Sequence, residues 1–228
     1  MKIVIVADIH GKYAVLQKIM DEITKLDFDV LVSPGDFTDM FDTTPDFTQL
    51  EIADLVVQKL LIPDKPLLCV PGNHDPYDVI DVFEDYGVNI HNKTKKTGNL
   101  TFVGWGGADT PFNTLFEPSE EETKEALTRL LEKVKGGWVL ITHAPPKGTK
   151  LDLVGGKKHV GSGALKGVIL EKKPVLALTA HIHENRGSYR LGSTQVFYPG
   201  PAYDGFYGIV TIDKDGISCV SKRIPKQG

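Results

Sequence analysis

The chain has 228 residues, 41% of them hydrophobic and 25% charged, with a formal net charge of −4. These values suit one soluble domain with a substantial core, and they exclude a general electrostatic affinity for long nucleic acid or anionic membrane. Two cysteines, Cys69 and Cys219, stand far apart in apolar surroundings without a CxxC pair, so they read as buried reduced thiols rather than a disulfide framework.

The predicted elements alternate cleanly through the first half. A strand at Lys2–Ala7 runs into Asp8-Ile9-His10. Residues Tyr13–Leu26 carry Leu16, Ile19, Met20, Ile23 and Leu26 at helical spacing. A strand at Val30–Ser33 passes through Pro34-Gly35 into Asp36, and Asp46–Leu61 reads as the next helix. The strand Leu67–Val70 passes through Pro71-Gly72 into Asn73-His74-Asp75. Each interval is about the length of one strand–helix–strand unit.

A short helix is expected at Tyr77–Tyr86, a short strand at Val88–His91 and a longer strand at Leu100–Trp105. Ser119 followed by Glu122 marks the start of a helix that runs to about Lys135. The strand Trp138–Thr142 leads into His143. Lys147–Gly163 reads as a long Gly- and Lys-rich loop, and a helix near Ala164–Lys172 precedes the strand Val175–Ala180 and His181-Ile182-His183. Beyond it, Ser188–Leu191, Gln195–Tyr198, Gly205–Asp213 and Gly216–Lys222 read as hairpin strands. Strand–helix alternation followed by hairpins predicts a mixed two-sheet α/β domain with helices outside, a single domain over residues 1–228.

The apolar runs matter because each ends in a metal-binding residue type. Buried parallel strands read as such runs, and ligands of open α/β sheets bind beyond the carboxyl ends of the strands. If the runs lie side by side, Asp, His and Asn residues from most of the chain share one crevice. Mixed His/Asp/Asn ligation suits Mn, Fe, Zn or Ni better than Mg alone. Two such ions about 3.5–4 Å apart form a hydrolytic site for phosphate esters.

Asp8-x-His10, Gly35-Asp36, Gly72-Asn73-His74-Asp75, Thr142-His143 and Ala180-His181-x-His183 together resemble the ordered motifs of the calcineurin-like metallophosphoesterases, in particular small stand-alone prokaryotic members. The resemblance extends to the stretches Gly106–Thr114, His159–Ser162 and Phe197–Gly200. It implies a four-layer α/β/β/α sandwich with two mixed β-sheets. It also implies two divalent metal ions, manganese favoured, one held by Asp8, His10 and His183, the other by Asn73, His143 and His181, with Asp36 between them. His74 is then the general acid for the leaving oxygen, and Asp75 orients it. The implied reaction is hydrolysis of phosphate esters, diesters preferred, by a hydroxide held between the ions. Ala180 departs from the family, which usually has Gly there; no ligand is lost.

The alternatives are a non-catalytic metal-binding scaffold of the same fold, or a phosphomonoesterase or nuclease acting on short nucleotides. The expected partner is a small phosphate ester, with nucleotides included and no membrane involved; the sequence sets no oligomeric state. Ile3–Ala7 is too short for a secretory signal core, and no stretch approaches the ~20 apolar residues that span a bilayer, so the expected location is cytoplasmic. His91 reads as structural. His159, Lys147, Lys150, Lys157 and Lys158 are either solvated or substrate-facing, and Asn185 and Arg186 either form a turn or touch substrate.

Overall fold

The computed structural model describes residues 1–43 and 45–225. In chain order the elements are β1 (Lys2–Ile5), α1 (Tyr13–Ile23), β2 (Val30–Ser33), α2 (Gln49–Leu60), β3 (Leu67–Cys69), α3 (Val79–Asp85), β4 (Lys93–Thr97), β5 (Leu100–Trp105), α4 (Glu120–Leu131) and β6 (Trp138–Thr142). They continue with β7 (Leu153–Val154), β8 (Lys158–His159), α5 (Gly163–Lys172), β9 (Leu176–Leu178), β10 (Gly187–Leu191), β11 (Thr194–Tyr198), a 3-10 turn at Ala202–Asp204, β12 (Phe206–Asp213) and β13 (Gly216–Arg223).

Two sheets carry the fold. One has the order β13-β12-β1-β2-β3, the other β10-β11-β9-β6-β5-β4. β1, β2 and β3 pair in parallel, as do β5, β6, β9 and β11; the antiparallel partners are β12 and β13 in the first sheet and β4 and β10 in the second. Side chains alternate along each strand, which assigns every other residue to a different layer. Ile3, Ile5, Val32 and Leu68 meet Phe102, Val139, Ile141 and Leu178 in an apolar layer between the sheets. Val4, Leu31 and Cys69 face outward onto Leu16, Ile19, Val56 and Phe83 of α1, α2 and α3. Val103, Leu140 and Ala177 face outward onto Leu127, Leu165 and Ile169 of α4 and α5. This is the expected α/β/β/α sandwich. The central strands are apolar throughout because both of their faces are buried, and each Ile, Leu or Val so buried contributes about 1.5–3 kcal/mol.

Local chemistry sets the element boundaries. Thr48 and Glu51 form a capping box that starts α2 three residues later than the apolar pattern suggests, whereas Ser119 with Glu122 caps α4 where expected, and that helix ends at Leu131 rather than near Lys135. Val88–His91 is not a strand: it makes isolated bridges, Asn89 to Cys69 and His91 to Gly104. The strand in that region is β4, whose sequence Lys-Thr-Lys-Lys-Thr has no apolar alternation because it is a solvent-facing sheet edge. Residues 147–163 also hold more order than a plain loop. They form the small β7–β8 hairpin around buried Asp152, which accepts bonds from Thr149 N (2.9 Å), Gly161 N (3.1 Å) and His159 Nδ1 (2.8 Å).

Candidate metal centre

The apolar runs that precede the candidate ligands do not lie in one row. β1, β2 and β3 belong to the first sheet and β6 and β9 to the second, and their carboxyl ends meet across the gap between the sheets. The turns beyond them are latched to one another by backbone bonds. Asp8 N donates to Gly35 O (3.1 Å), His10 N to Asp36 O (2.9 Å) and Ala180 N to His143 O (2.9 Å). Asp8, His10, Asp36 and His181 all adopt positive φ, at 54°, 48°, 57° and 78°. Non-glycine residues avoid that region, and such strain concentrates at functional sites. Gly35, at φ 109°, lies so close to its neighbours that a Cβ there would stand 2.6 Å from both Gly72 N and His143 Nδ1.

The side chains converge. Asp8, His10, Asp36 and His183 offer ligand atoms within 4.8 Å of one another, and Asp36, His143 and His181 form a second such group. His10 Nε2 faces His183 Nε2 at 3.2 Å, and His183 Nε2 lies 3.5 Å from Asp8 Oδ1. Asn73 Oδ1 lies 3.0 Å from His143 Nε2. Asp36 belongs to both groups: its Oδ2 is 3.4 Å from His10 Nε2 and 3.3 Å from His143 Nε2. That oxygen is buried and has no hydrogen-bond partner among the described residues. A buried carboxylate oxygen without a donor is costly, and the facing imidazole nitrogens of His10 and His183 can share at most one proton between them. Cations at these two places satisfy both, so the donor set fits a pair of divalent ions.

Outer contacts fix how the donors point. His143 Nδ1 donates to Pro34 O (2.9 Å), which makes Nε2 the atom turned toward the site, able to ligate once the ring is neutral. Tyr198 OH donates to Asp8 Oδ2 (2.6 Å) and His181 N to Asp8 Oδ1 (3.0 Å). Asn73 Nδ2 donates to Thr114 Oγ1 (3.1 Å), so the amide oxygen is the atom presented inward. The stretch from Gly106 to Thr114 is thus a brace for the Asn73 turn: Gly107 N donates to Pro71 O (2.8 Å), and Leu115 N just beyond it to Asn73 O (2.9 Å).

Charge is balanced within the cluster. Burial alone would push Asp8 up, but His183 and His143 outweigh it and hold the carboxyl below its ordinary value. Burial acts the same way on Asp36, and His143 and His10 hold it well below. Burial disfavours a proton on His143, yet the Asp36 carboxylate overcomes this and pushes the ring up to about 9. His181, buried beside that imidazolium, is pushed down to about 3. Without a metal, protonated imidazole is the cation that the buried acids recruit: Asp36 raises His143 and, against burial, His10 as well.

His74 stands beside this cluster, its ring 4.8 Å from that of His10, and its backbone N–H donates to Asp36 Oδ1 (3.0 Å). The expectation that Asp75 orients His74 is corrected. The carboxylate at His74 Nδ1 is that of Asp39, whose Oδ1 is 3.2 Å away and whose Oδ2 lies 3.5 Å from His10 Nδ1. Asp75 is fully buried behind the turn and accepts from Thr38 N (2.9 Å), Thr38 Oγ1 (3.0 Å) and Gly72 N (2.7 Å). Burial and the nearby Asp36 push its carboxyl up to about 6. It braces the loop and does not reach the imidazole. Asp39 lies three residues past Asp36, and an acid so near a ligand on the same turn was the available signal.

The remaining candidates separate. His91 stacks on Trp105 (4.7 Å) and accepts from Gly106 N (2.9 Å), a structural place. Asn185 donates to Leu153 O (2.6 Å), and Arg186 lies over the Phe206 ring (4.8 Å), so both serve their turn. His159 belongs to the Asp152 hairpin. Lys147 lines a cavity of about 280 Å³ next to His181, while Lys150, Lys157 and Lys158 are exposed. Cys69 is buried, Cys219 is half-buried, and both are free thiols. No helix among the described residues is long and apolar enough to cross a membrane.

Comparison with known proteins agrees with this geometry. An uncharacterized protein of Methanocaldococcus jannaschii is 36% identical over 224 residues, covering 93% of this chain and 96% of that one. A crystal structure of the protein TT1561 of Thermus thermophilus superposes with a TM-score of 0.70 at 17% identity, covering 96% of this chain and 97% of that chain. The purple acid phosphatase PPD1 from yellow lupin seeds matches at a TM-score of 0.63 and 12% identity, over 98% of this chain and 51% of its own. A structure described as a novel archaeal phosphodiesterase matches at 0.56 and 12%, over 97% and 100%. These likenesses show a shared fold. Residues 1–185 match the sequence profile described as calcineurin-like phosphoesterase, and the chain belongs to that family.

Proposed function

We propose that this protein is a binuclear metal-dependent hydrolase of phosphate esters, with phosphodiesters the favoured class and small, nucleotide-sized molecules the favoured substrates. The observation that carries the reading is Asp36 Oδ2, buried, without a donor, and midway between His10 Nε2 at 3.4 Å and His143 Nε2 at 3.3 Å. Asp8, His10 and His183 would hold one ion, and Asn73, His143 and His181 the other, with Asp36 shared. Manganese is the favoured metal, with iron, zinc or nickel fitting the same donors. Such ions, when bound, lower the pKa of water and neutralise charge on the phosphoryl oxygens.

The chain's own groups do the rest. With Nδ1 engaged by Asp39, His74 keeps Nε2 to carry a proton to the leaving oxygen. Burial lowers the His74 pKa, which makes its imidazolium a stronger acid. The preference for diesters rests on the four arginines, which are engaged elsewhere: Arg186 and Arg223 lie over Phe206, Arg129 bonds Asn92, and Arg190 is exposed on β10. A terminal phosphate dianion is usually met by bidentate guanidinium groups. One domain spanning residues 1–228 and a cytoplasmic setting complete the proposal. The test is hydrolysis of bis-p-nitrophenyl phosphate with added Mn²⁺. Turnover that needs the metal is expected; none in a protein shown to hold two ions per chain would leave the scaffold reading in its place.

A further inference from the structure

Phe41 is 67% exposed, and its ring does not pack into the core. It meets the His74 imidazole edge-on, with centroids 5.3 Å apart and planes at 86°. Its backbone is nonetheless tied to the site. Phe41 N donates to Asp39 Oδ1 at 2.9 Å, the same oxygen that faces His74 Nδ1 at 3.2 Å. The next residue, Asp42, is paired with Lys12. One carboxylate therefore faces the imidazole and holds the stretch of backbone that carries the aromatic ring beside it.

The two ends of the site differ. At His74, next to His10, the wall is the bare phenyl ring of Phe41. At His181, next to His143, the site opens into the cavity of about 280 Å³, where Ala144 and Val160 alternate with the charged Asp109, Glu120 and Lys147, so no bare aromatic ring stands at that end. A leaving group departs from the side that protonates it. We infer that Phe41 is a specificity-determining residue forming an apolar wall of the leaving-group subsite, and that the preferred leaving alcohol carries a flat ring. This rests on the reading of His74 as the acid. Stacking or edge contact with an exposed aromatic ring favours such a group by about tenfold.

The test reads binding, not turnover. The metal-loaded protein is titrated calorimetrically with inorganic phosphate, benzylphosphonate and ethylphosphonate, the last two carrying CH₂ in place of the ester oxygen. Benzylphosphonate is expected to bind about tenfold more tightly than ethylphosphonate. Phe41→Ala should cut that ratio to about twofold or less, and Phe41→Trp should keep it. No preference in the natural protein, or a ratio unchanged by Phe41→Ala, overturns the inference while phosphate still binds. Failure of phosphate itself to bind overturns the phosphoesterase reading, and this inference with it.

Discussion

Asp39 Oδ1 lies 3.2 Å from His74 Nδ1, while Asp75, the acid adjacent to His74 in the chain, is turned away into the loop behind it. Neighbours in sequence are therefore separated in role, and a residue 35 positions upstream takes the place at the imidazole.

This arrangement makes a kinetic distinction. His74→Ala should lower kcat on esters with poor leaving groups by ~10²–10⁴-fold and should change nitrophenyl esters far less, because a nitrophenolate needs no proton. Asp39→Asn should shift the same leaving-group dependence in the same direction by a smaller factor. Asp75→Asn should act instead on stability, by about 1–3 kcal/mol, since a buried brace loses an acceptor. Steady-state kinetics over a leaving-group series, beside denaturation curves, separates them; equal loss on all esters for His74→Ala would remove its role as acid.

Asp36→Asn should reduce the metal content from two ions per chain to one or fewer. With the other oxygen taken by the backbone N–H of His74, the amide either turns its NH₂ to the Oδ2 place or offers there a neutral oxygen, which two cations share less well than a carboxylate. Elemental analysis of the purified variant gives the answer, and two tightly held ions would refute the shared ligand.

Metal affinity should rise with pH. In the metal-free protein His143 stays protonated up to about 9, and only its neutral form can ligate. Each ion entering that group must expel the proton below this value. Apparent affinity is expected to climb about tenfold per pH unit toward 9 and then level. Calorimetry in buffers of different ionisation enthalpy should count at least one proton released per chain at neutral pH, since His10 is raised as well; a count of zero would contradict the assignment.

His91 should impose an acid limit on stability. Burial pushes its pKa down to about 4, so the folded state resists a proton that the unfolded chain accepts near the ordinary histidine value. Its contribution is therefore full above that ordinary value and is lost as pH falls toward 4, on the order of 2–3 kcal/mol. His91→Gln keeps an acceptor for Gly106 N and cannot titrate. Its unfolding free energy should fall less steeply than that of the natural protein over this window, and parallel curves would show that His91 does not carry the effect.

Much of the site was legible because chemistry and position coincide in the chain. Val30–Ser33, Leu100–Trp105 and Trp138–Thr142 form strands over the residues expected, since strands buried on two faces cannot hide their apolar character. Asp8, His10, Asp36, Asn73, His143, His181 and His183 all follow such strands, and the structure gathers them. β4 escaped because an edge strand of lysine and threonine carries no burial signal. Tyr198 reads in the sequence as a strand residue within a family-like stretch, with no role at the site; its hydroxyl bond to Asp8 spans 190 positions, and no local pattern announces such a contact.

By itself, then, the amino-acid order determined the layers, the strand ends and the residue types placed there, because burial on one or two faces imprints a period on the chain. Only the tertiary structure decided that the ligand-bearing strand ends divide between the two sheets and meet across the gap, that Asp39 rather than Asp75 meets His74, and that Phe41 stands bare beside it. Those outcomes depend on where left-handed turns such as Asp36 aim their side chains, and a direction in space fixed by packing between distant segments leaves no period in the sequence.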